Sequence, residues 1–337
     1  MTSNQSSGES LLSETITVDG HADTLGRFLE APGRFYEGDP AGRMDAPRMD
    51  AIFQSVQTMA IFTPPDRRGE EAKRYAWDFV AGIEGVLGRA ENVARSSPFY
   101  RIDSRGDLPT TPDRAGGILV SIEGVSPLVG DVSELDRLFE AGVRSIILTH
   151  NHDNEAAKGC FSTRGDRGLT SFGVEVVRRA EELGMVIDLA HANPDVFADV
   201  LEAAHGPVVD SHTGFCRFFD LPRNLSDDQA RRIAETGGVV CVFFVPELLR
   251  KGARRDGDVT IEELATVFEH AVDVCGIDHI GIGSDWDGFV GSVKGLDEAS
   301  KLPALVEALL GRGFRRDDLK KILGENLLRV LRTALPA

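Results

Sequence analysis

Eight short runs of apolar, largely β-branched residues recur between residues 15 and 285, each followed by a polar or amphipathic stretch. The runs are 15–21, 55–62, 117–123, 145–150, 186–191, 208–212, 238–244 and 279–285. They are too short for buried helices and nearly continuously apolar, which suits strands covered on both faces. Between them lie helical patterns. Residues 71–92 place Tyr75, Phe79, Ile83 and Leu87 at four-residue spacing, and 171–184 places Phe172, Val176, Val177, Ala180 and Leu183 on one face. A helix opens at Asn193 with Pro194 at its first position. Ser226 with Gln229, and Thr260 with Glu263, form capping boxes that open helices over 226–236 and 261–275. Two or three further helices fill 300–334. Eight such alternations predict a closed parallel (β/α)8 TIM barrel. A doubly wound open sheet is the alternative. Gly281-Ile282-Gly283 runs into Ser284-Asp285 rather than a helix start, so it is no dinucleotide fingerprint.

In a barrel of this kind the chemistry sits where strands end. His21 and Asp23 follow the first run, Glu123 ends the third, His150 the fourth, His191 the fifth, His212 the sixth and Asp285 the eighth. Five of the eight histidines (His21, His150, His152, His191 and His212) lie at or just beyond such ends. The other three, His205, His270 and His279, read as structural or solvent-facing. In extended chain, residues two apart point to one side, so His21 and Asp23 can converge on a single cation. Three imidazoles and two carboxylates exceed what one tetrahedral zinc ion takes. A central carboxylate, Glu123, can bridge two ions. One ion would take His21, Asp23 and Glu123, the other Glu123, His191 and His212. A hydroxide bridging them would be the nucleophile, with Asp285 holding and deprotonating that water and His150 reaching over to a substrate oxygen. Asp287 competes with Asp285 for this role, and Asp285 is preferred. Asp188 and Asp210 read as supporting residues. The chemistry implied is hydrolysis of an amide, ester or phosphoester.

The remaining composition sets limits. Acidic residues outnumber basic ones 54 to 37, for a net charge of −17. That disfavours nucleic acid or an anionic membrane as partner. No run reaches the roughly 18 apolar residues of a membrane span. The polar start, Thr2 to Ser7, lacks a signal peptide's apolar region, and no apolar tail closes the chain. Cys160, Cys216, Cys241 and Cys275 are scattered and read as free thiols of a reducing compartment. A cytoplasmic location is therefore expected. Residues 1–14 read as a flexible arm, and 15–337 as one catalytic domain. The stretches 24–54 and 151–170 read as excursions above the barrel mouth.

These residues resemble a known family. Asp19-Gly20-His21-Ala22-Asp23, Ile122-Glu123-Gly124, Leu148-Thr149-His150-Asn151 and Gly168-Leu169-Thr170-Ser171-Phe172-Gly173 are similar to the membrane (renal) dipeptidases. These belong to the metallopeptidase branch of the amidohydrolase superfamily. Ile187-Asp188-Leu189-Ala190-His191, Ser211-His212, Arg223-Asn224, Gly283 to Gly288 and Gly324 to Val330 extend the likeness over residues 16–334. The resemblance implies two zinc ions bridged by Glu123, an oxyanion contact from His150, and a general base at Asp285 that later protonates the leaving amine. It adds Arg223 as the residue that binds the substrate's terminal carboxylate, a task that suits a guanidinium. Ala22 stands where the family usually has Asn, and Thr24-Leu25 where it has an apolar residue and Pro. The loop after His150 also lacks the family's Trp-containing pattern. The Ala22 departure implies the loss of a substrate-side hydrogen bond.

The expectation is a zinc-dependent dipeptidase acting on small L,L and L,D dipeptides. A homodimer is compatible with it. The alternatives are the same metal site acting on another amide (a β-lactam, an N-acyl amino acid or a natural-product conjugate), or a decayed barrel that only binds.

Overall fold

The computed structural model describes residues 6–29, 31–112, 116–162 and 168–337. Eight parallel strands close on themselves: β1 (Val18–Asp19), β2 (Val56–Phe62), β3 (Gly117–Glu123), β4 (Val143–Ile147), β5 (Val186–Asp188), β6 (Val209–Thr213), β7 (Val239–Val242) and β8 (Ile280–Ile282). Each pairs with its sequence neighbour, and β8 returns to β1 through Asp19 and Ile282. A short strand, Tyr100–Arg101, adds to β3 from outside, and Val259–Thr260 pairs with Val293–Lys294 as a separate ribbon. The fold is thus the (β/α)8 barrel rather than the open sheet.

The helices ring it: α1 (Ser7–Ser13), α2 (Glu70–Leu87), α3 (Ser133–Glu140), α4 (Ser171–Leu183), α5 (Pro194–Ala203), α6 (Asp227–Glu235), α7 (Ile261–Cys275), α8 (Leu302–Gly311) and α9 (Asn326–Ala334). Their caps are those the sequence announces. Asn193 accepts from Val196 N at the start of α5, and the Ser226 and Thr260 capping boxes open α6 and α7. On α2 the predicted stripe turns Phe79 and Ile83 inward with Ala72, Ala76 and Val86. That helix stops at Leu87, and Ala90–Val93 is a separate turn.

The barrel interior is tight. At Gly283 an added Cβ would overlap the Ser211 carbonyl, so only glycine lets β8 approach β6 this closely. The Gly-Ile-Gly run is therefore a packing device.

Residues 7–13 correct the expectation of a loose arm. Ser6 and Glu9 form a reciprocal capping box, and Leu11 and Leu12 are fully buried. Gly8 meets Pro303 of α8 without room for a side chain. The exposed box opens the helix, and the two buried leucines anchor it. Residues 1–5 of the arm, and 163–167 of the second excursion, lie outside the described residues. The first excursion is only partly a rim. Gly26 and Arg27 face the mouth, but Phe28, Phe35, Met44, Met49 and Ile52 enter the core. Among the described residues no helix is long and apolar enough to cross a membrane.

Candidate metal centre

Regular pairing ends before several of the residues expected at strand ends. β4 stops at Ile147, β5 at Asp188 and β8 at Ile282, short of His150, His191 and Asp285. The chain then turns sharply. His191 and Asp285 both adopt φ of 63°, and Asp287 67°, a left-handed conformation that costs a non-glycine residue energy. Three of the five such residues in the described chain are at this mouth.

The turns bring the expected residues together. His21 Nε2 lies 3.7 Å from Asp23 Oδ2 and 3.6 Å from Glu123 Oε2. The other Glu123 oxygen, Oε1, lies 3.0 Å from His191 Nε2 and 3.7 Å from His212 Nε2. The two Nε2 atoms are 3.0 Å apart, and the His21 and His212 rings stack at 3.8 Å. Glu123 therefore stands between two donor sets with one oxygen turned to each. Asp285 groups with His21 and His212, and His150 with Glu123 and His191.

Backbone support explains the register. Asp19 accepts from His21 N and Ser284 N at 3.2 and 2.9 Å, and from Ser284 Oγ at 2.5 Å, which clamps the ends of β1 and β8. Asp285 N then donates to His21 O at 3.0 Å. Asp188 does the same between β5 and β6, accepting from Ala190 N and Ser211 N. At Gly288 any side chain would collide with both the Asp23 and Asp285 carboxylates, so glycine permits their convergence. Asp287 is engaged elsewhere, accepting from Thr24 Oγ1 at 2.7 Å and Arg43 N at 2.9 Å. It pins the first excursion.

The imidazoles are oriented from behind. His191 Nδ1 donates to Asn151 Oδ1 at 3.0 Å, leaving its Nε2 lone pair facing the centre, and His212 Nδ1 pairs with Ser211 Oγ at 2.9 Å. Asn151, Ser211, Asp19 and Ser284 carry no assigned role in the sequence reading. The repeated Asp-x-His spacing, Asp19 with His21 and Asp210 with His212, is the signal that points to such support.

Ionisation divides the site. Burial pushes Glu123 up to about 8, with Asp23 adding to it. Burial likewise lifts Asp285 to about 7. For His21 burial works downward, but the Glu123 and Asp23 carboxylates outweigh it and hold the ring up at about 10. Burial drives His191 and His212 well below the ordinary histidine range, and takes His150 down to about 4.

Both His21 ring nitrogens and Asp23 Oδ1 are buried without a hydrogen-bond partner. Such atoms are costly unless something else satisfies them. Donors about 2.0–2.1 Å from a tetrahedral zinc ion stand roughly 3.3 Å from one another. The spacings here run from 3.0 to 3.7 Å. The donor set therefore fits divalent cations.

Arg223 is buried, donates from Nη2 to His212 O at 2.6 Å, and keeps Nη1 without a hydrogen-bond partner. It joins the wall of a cavity of about 1190 Å³ that also includes Asp23, Glu123, His150, His191, His212 and Asp285. Ala22 is different. It is fully buried in the core cluster, so a side chain there faces away from the cavity and the expected loss of a substrate contact has no structural counterpart. His205, His270 and His279 lie apart from the centre, paired with Glu181, Asp227 and the Gly238 carbonyl. The four cysteines are free.

Known proteins are similar to this chain to different degrees. A crystal structure of a metallo peptidase named dipeptidase AC aligns with TM-score 0.87 and 26% identity, over 96% of this chain and all of that one. A metallo peptidase from Rhodobacter sphaeroides, liganded with a phosphinate mimic of L-Ala-D-Ala, aligns at TM-score 0.87 and 24% identity over 95% of this chain and 99% of that one, which speaks for the fold alone. Two uncharacterised dipeptidases of Schizosaccharomyces pombe are 35% and 36% identical over 63% and 64% of this chain, and 52% of each relative is matched. The chain thus spans about half the length of these curated relatives. The family model described as Membrane dipeptidase (Peptidase family M19) matches residues 6–336. With nearly the whole chain matched, the protein belongs to the membrane dipeptidase family.

Proposed function

We propose that the protein is a metal-dependent dipeptidase that hydrolyses the peptide bond of small dipeptides. The observation that carries this is Glu123, whose two carboxylate oxygens face separate donor sets, His21 with Asp23 and His191 with His212. That arrangement supports two cations, with zinc suited to the nitrogen and oxygen donors. When bound, the ions would polarise the scissile carbonyl and lower the pKa of the attacking water to around 7.

The chain's own residues then divide the work. Arg223, with a buried nitrogen still unpaired, receives the substrate carboxylate and fixes its distance from the scissile bond. Asp285 takes the proton of the attacking water and later returns it to the leaving amine. Burial raises its carboxyl above the ordinary carboxylate range, which brings it closer to the proton affinity a group needs to serve in both directions. His150, held neutral by burial, donates an N–H to the oxygen on which charge develops. The Phe62 ring, edge-to-face at 4.8 Å, supports it. The complete donor set argues against a decayed barrel. No feature of the cavity favours a β-lactam, an N-acyl amino acid or a natural-product conjugate over a dipeptide.

The test is hydrolysis of a panel of L,L and L,D dipeptides by zinc-loaded protein, with chelated protein as the blank. An L-Ala-D-Ala pair belongs in the panel because the Rhodobacter sphaeroides peptidase binds a mimic of it. Metal-dependent cleavage of at least one class is expected. Cleavage that survives chelation, or cleavage of none, would refute the proposal.

A further inference from the structure

The cavity over the candidate centre has two unlike sides. Around the closed barrel β2 lies opposite β6. On the side of β6 and β7 the wall mixes the charged residues Arg223, Glu247, Lys251 and Arg254 with the apolar Phe219, Val245 and Leu248. On the side of β1 and β2 it is built from Gly26, Phe62, Tyr75 and Phe79. Arg27 is the cation on that side, and its guanidinium is held by Asp39 at 2.8 Å.

The aromatic wall is constructed. Tyr75 and Phe79 stand one turn apart on α2, with their rings edge-to-face at 5.0 Å. The Arg67 guanidinium lies 4.3 Å over the outer Tyr75 ring and holds it in place. Phe62 closes β2 beside His150. Gly26 borders the buried Phe79, and an added Cβ there would touch its ring at 3.4 Å. Phe62 and Tyr75 are half-buried and so present apolar surface to the cavity.

This inference rests on the dipeptidase reading. A dipeptide with its carboxylate on Arg223, above β6, and its scissile carbonyl over Glu123 runs across the mouth. Its amino-terminal residue then arrives at the ends of β1 and β2. We infer that the Phe62–Tyr75–Phe79 wall receives the side chain of the substrate's amino-terminal residue and selects aromatic or large aliphatic side chains there. The carboxy-terminal side chain stays on the Arg223 side, away from Tyr75 and Phe79.

The experiment compares kcat/KM for Phe-Ala, Leu-Ala, Ala-Ala and Ala-Phe with zinc-loaded enzyme. Phe-Ala should exceed Ala-Ala by about tenfold or more, as burial of a large apolar side chain against such a wall implies. The Ala-Phe to Ala-Ala ratio should not respond to changes at Tyr75. In Tyr75→Ala the Phe-Ala to Ala-Ala ratio should fall towards one, and Tyr75→Phe should restore it. Gly26→Val fills the same wall from the first excursion without altering α2, and should also lower the ratio. A wild-type Phe-Ala to Ala-Ala ratio near one, or a ratio unmoved in both Tyr75→Ala and Gly26→Val, would overturn the inference alone. Cleavage of none of the four peptides, nor of any other in the L,L and L,D panel, would overturn the dipeptidase reading and this inference with it.

Discussion

The acid-rich side of the centre, at the ends of β1, β3 and β8, and the imidazole side, at the ends of β5 and β6, ionise in opposite directions. On the first, burial raises the Glu123 and Asp285 carboxyls above the ordinary carboxylate range, and the neighbouring carboxylates raise the His21 ring against burial. Packed together without a cation, these carboxylates repel one another. On the second, His191 and His212 are stripped of solvent and kept neutral, with lone pairs turned to the centre. One side holds more carboxylate than the His21 ring can offset, and the other lacks something to donate to. A divalent ion answers both needs, and Glu123 is the residue the two sides share.

Glu123 is therefore where both sides should fail together. Glu123→Ala should strip both ions and lower kcat/KM by more than about 10⁴-fold, since the polarising ions and the activated water go with it. Elemental analysis of the purified variant checks it. A variant that retains two bound zinc ions would refute the bridge. Asp285 belongs to the acid-rich side but is assigned to proton transfer. Asp285→Asn is isosteric and should keep metal content while kcat falls about 10²- to 10⁴-fold. Metal lost in step with activity would instead make Asp285 a ligand.

Arg223 tests the imidazole side's connection to substrate. Its free nitrogen and its carbonyl bond to His212 place a cation beside that half. Arg223→Ala should raise KM for a dipeptide about 10- to 100-fold, the value of a charge-assisted hydrogen bond, and far less for a neutral ester. Equal effects on both substrates would remove its carboxylate role.

The barrel and its donor set are legible in the sequence because both rest on strong local patterns. Apolar runs mark the strands, and His21, Glu123, His191 and His212 fall where those runs stop. What the sequence conceals depends on long-range packing. Nothing local separates Asp285 from Asp287, two residues apart on one side of an extended chain. Only the distant Thr24 hydroxyl and the Arg43 amide commit Asp287 to pinning the excursion. The arm is similar. Its capping box is readable, but the burial of Leu11 and Leu12 depends on a helix about 300 residues away. Ala22 draws notice as a departure from the family pattern, yet its side chain belongs to the core.

Asn151 offers the finest separation of the two sides. It follows His150 in sequence, yet its Oδ1 serves His191 across the mouth at 3.0 Å and also accepts from Cys160 Sγ at 3.3 Å. It fixes the tautomer that leaves the His191 Nε2 lone pair facing the centre, on the imidazole side alone. Asn151→Ala should therefore weaken one ion and spare the other. The expected loss is on the order of tenfold in affinity at the His191–His212 position, the lower end of what such supporting hydrogen bonds contribute. Titration with a competing chelator should resolve one weakened and one unchanged site, and excess zinc should recover activity. Asn151→Asp keeps an acceptor for Nδ1 and should retain most of the affinity. If Asn151→Ala released both ions at the same chelator concentration, the two sides would be one cooperative unit, and Glu123 would couple them rather than merely join them.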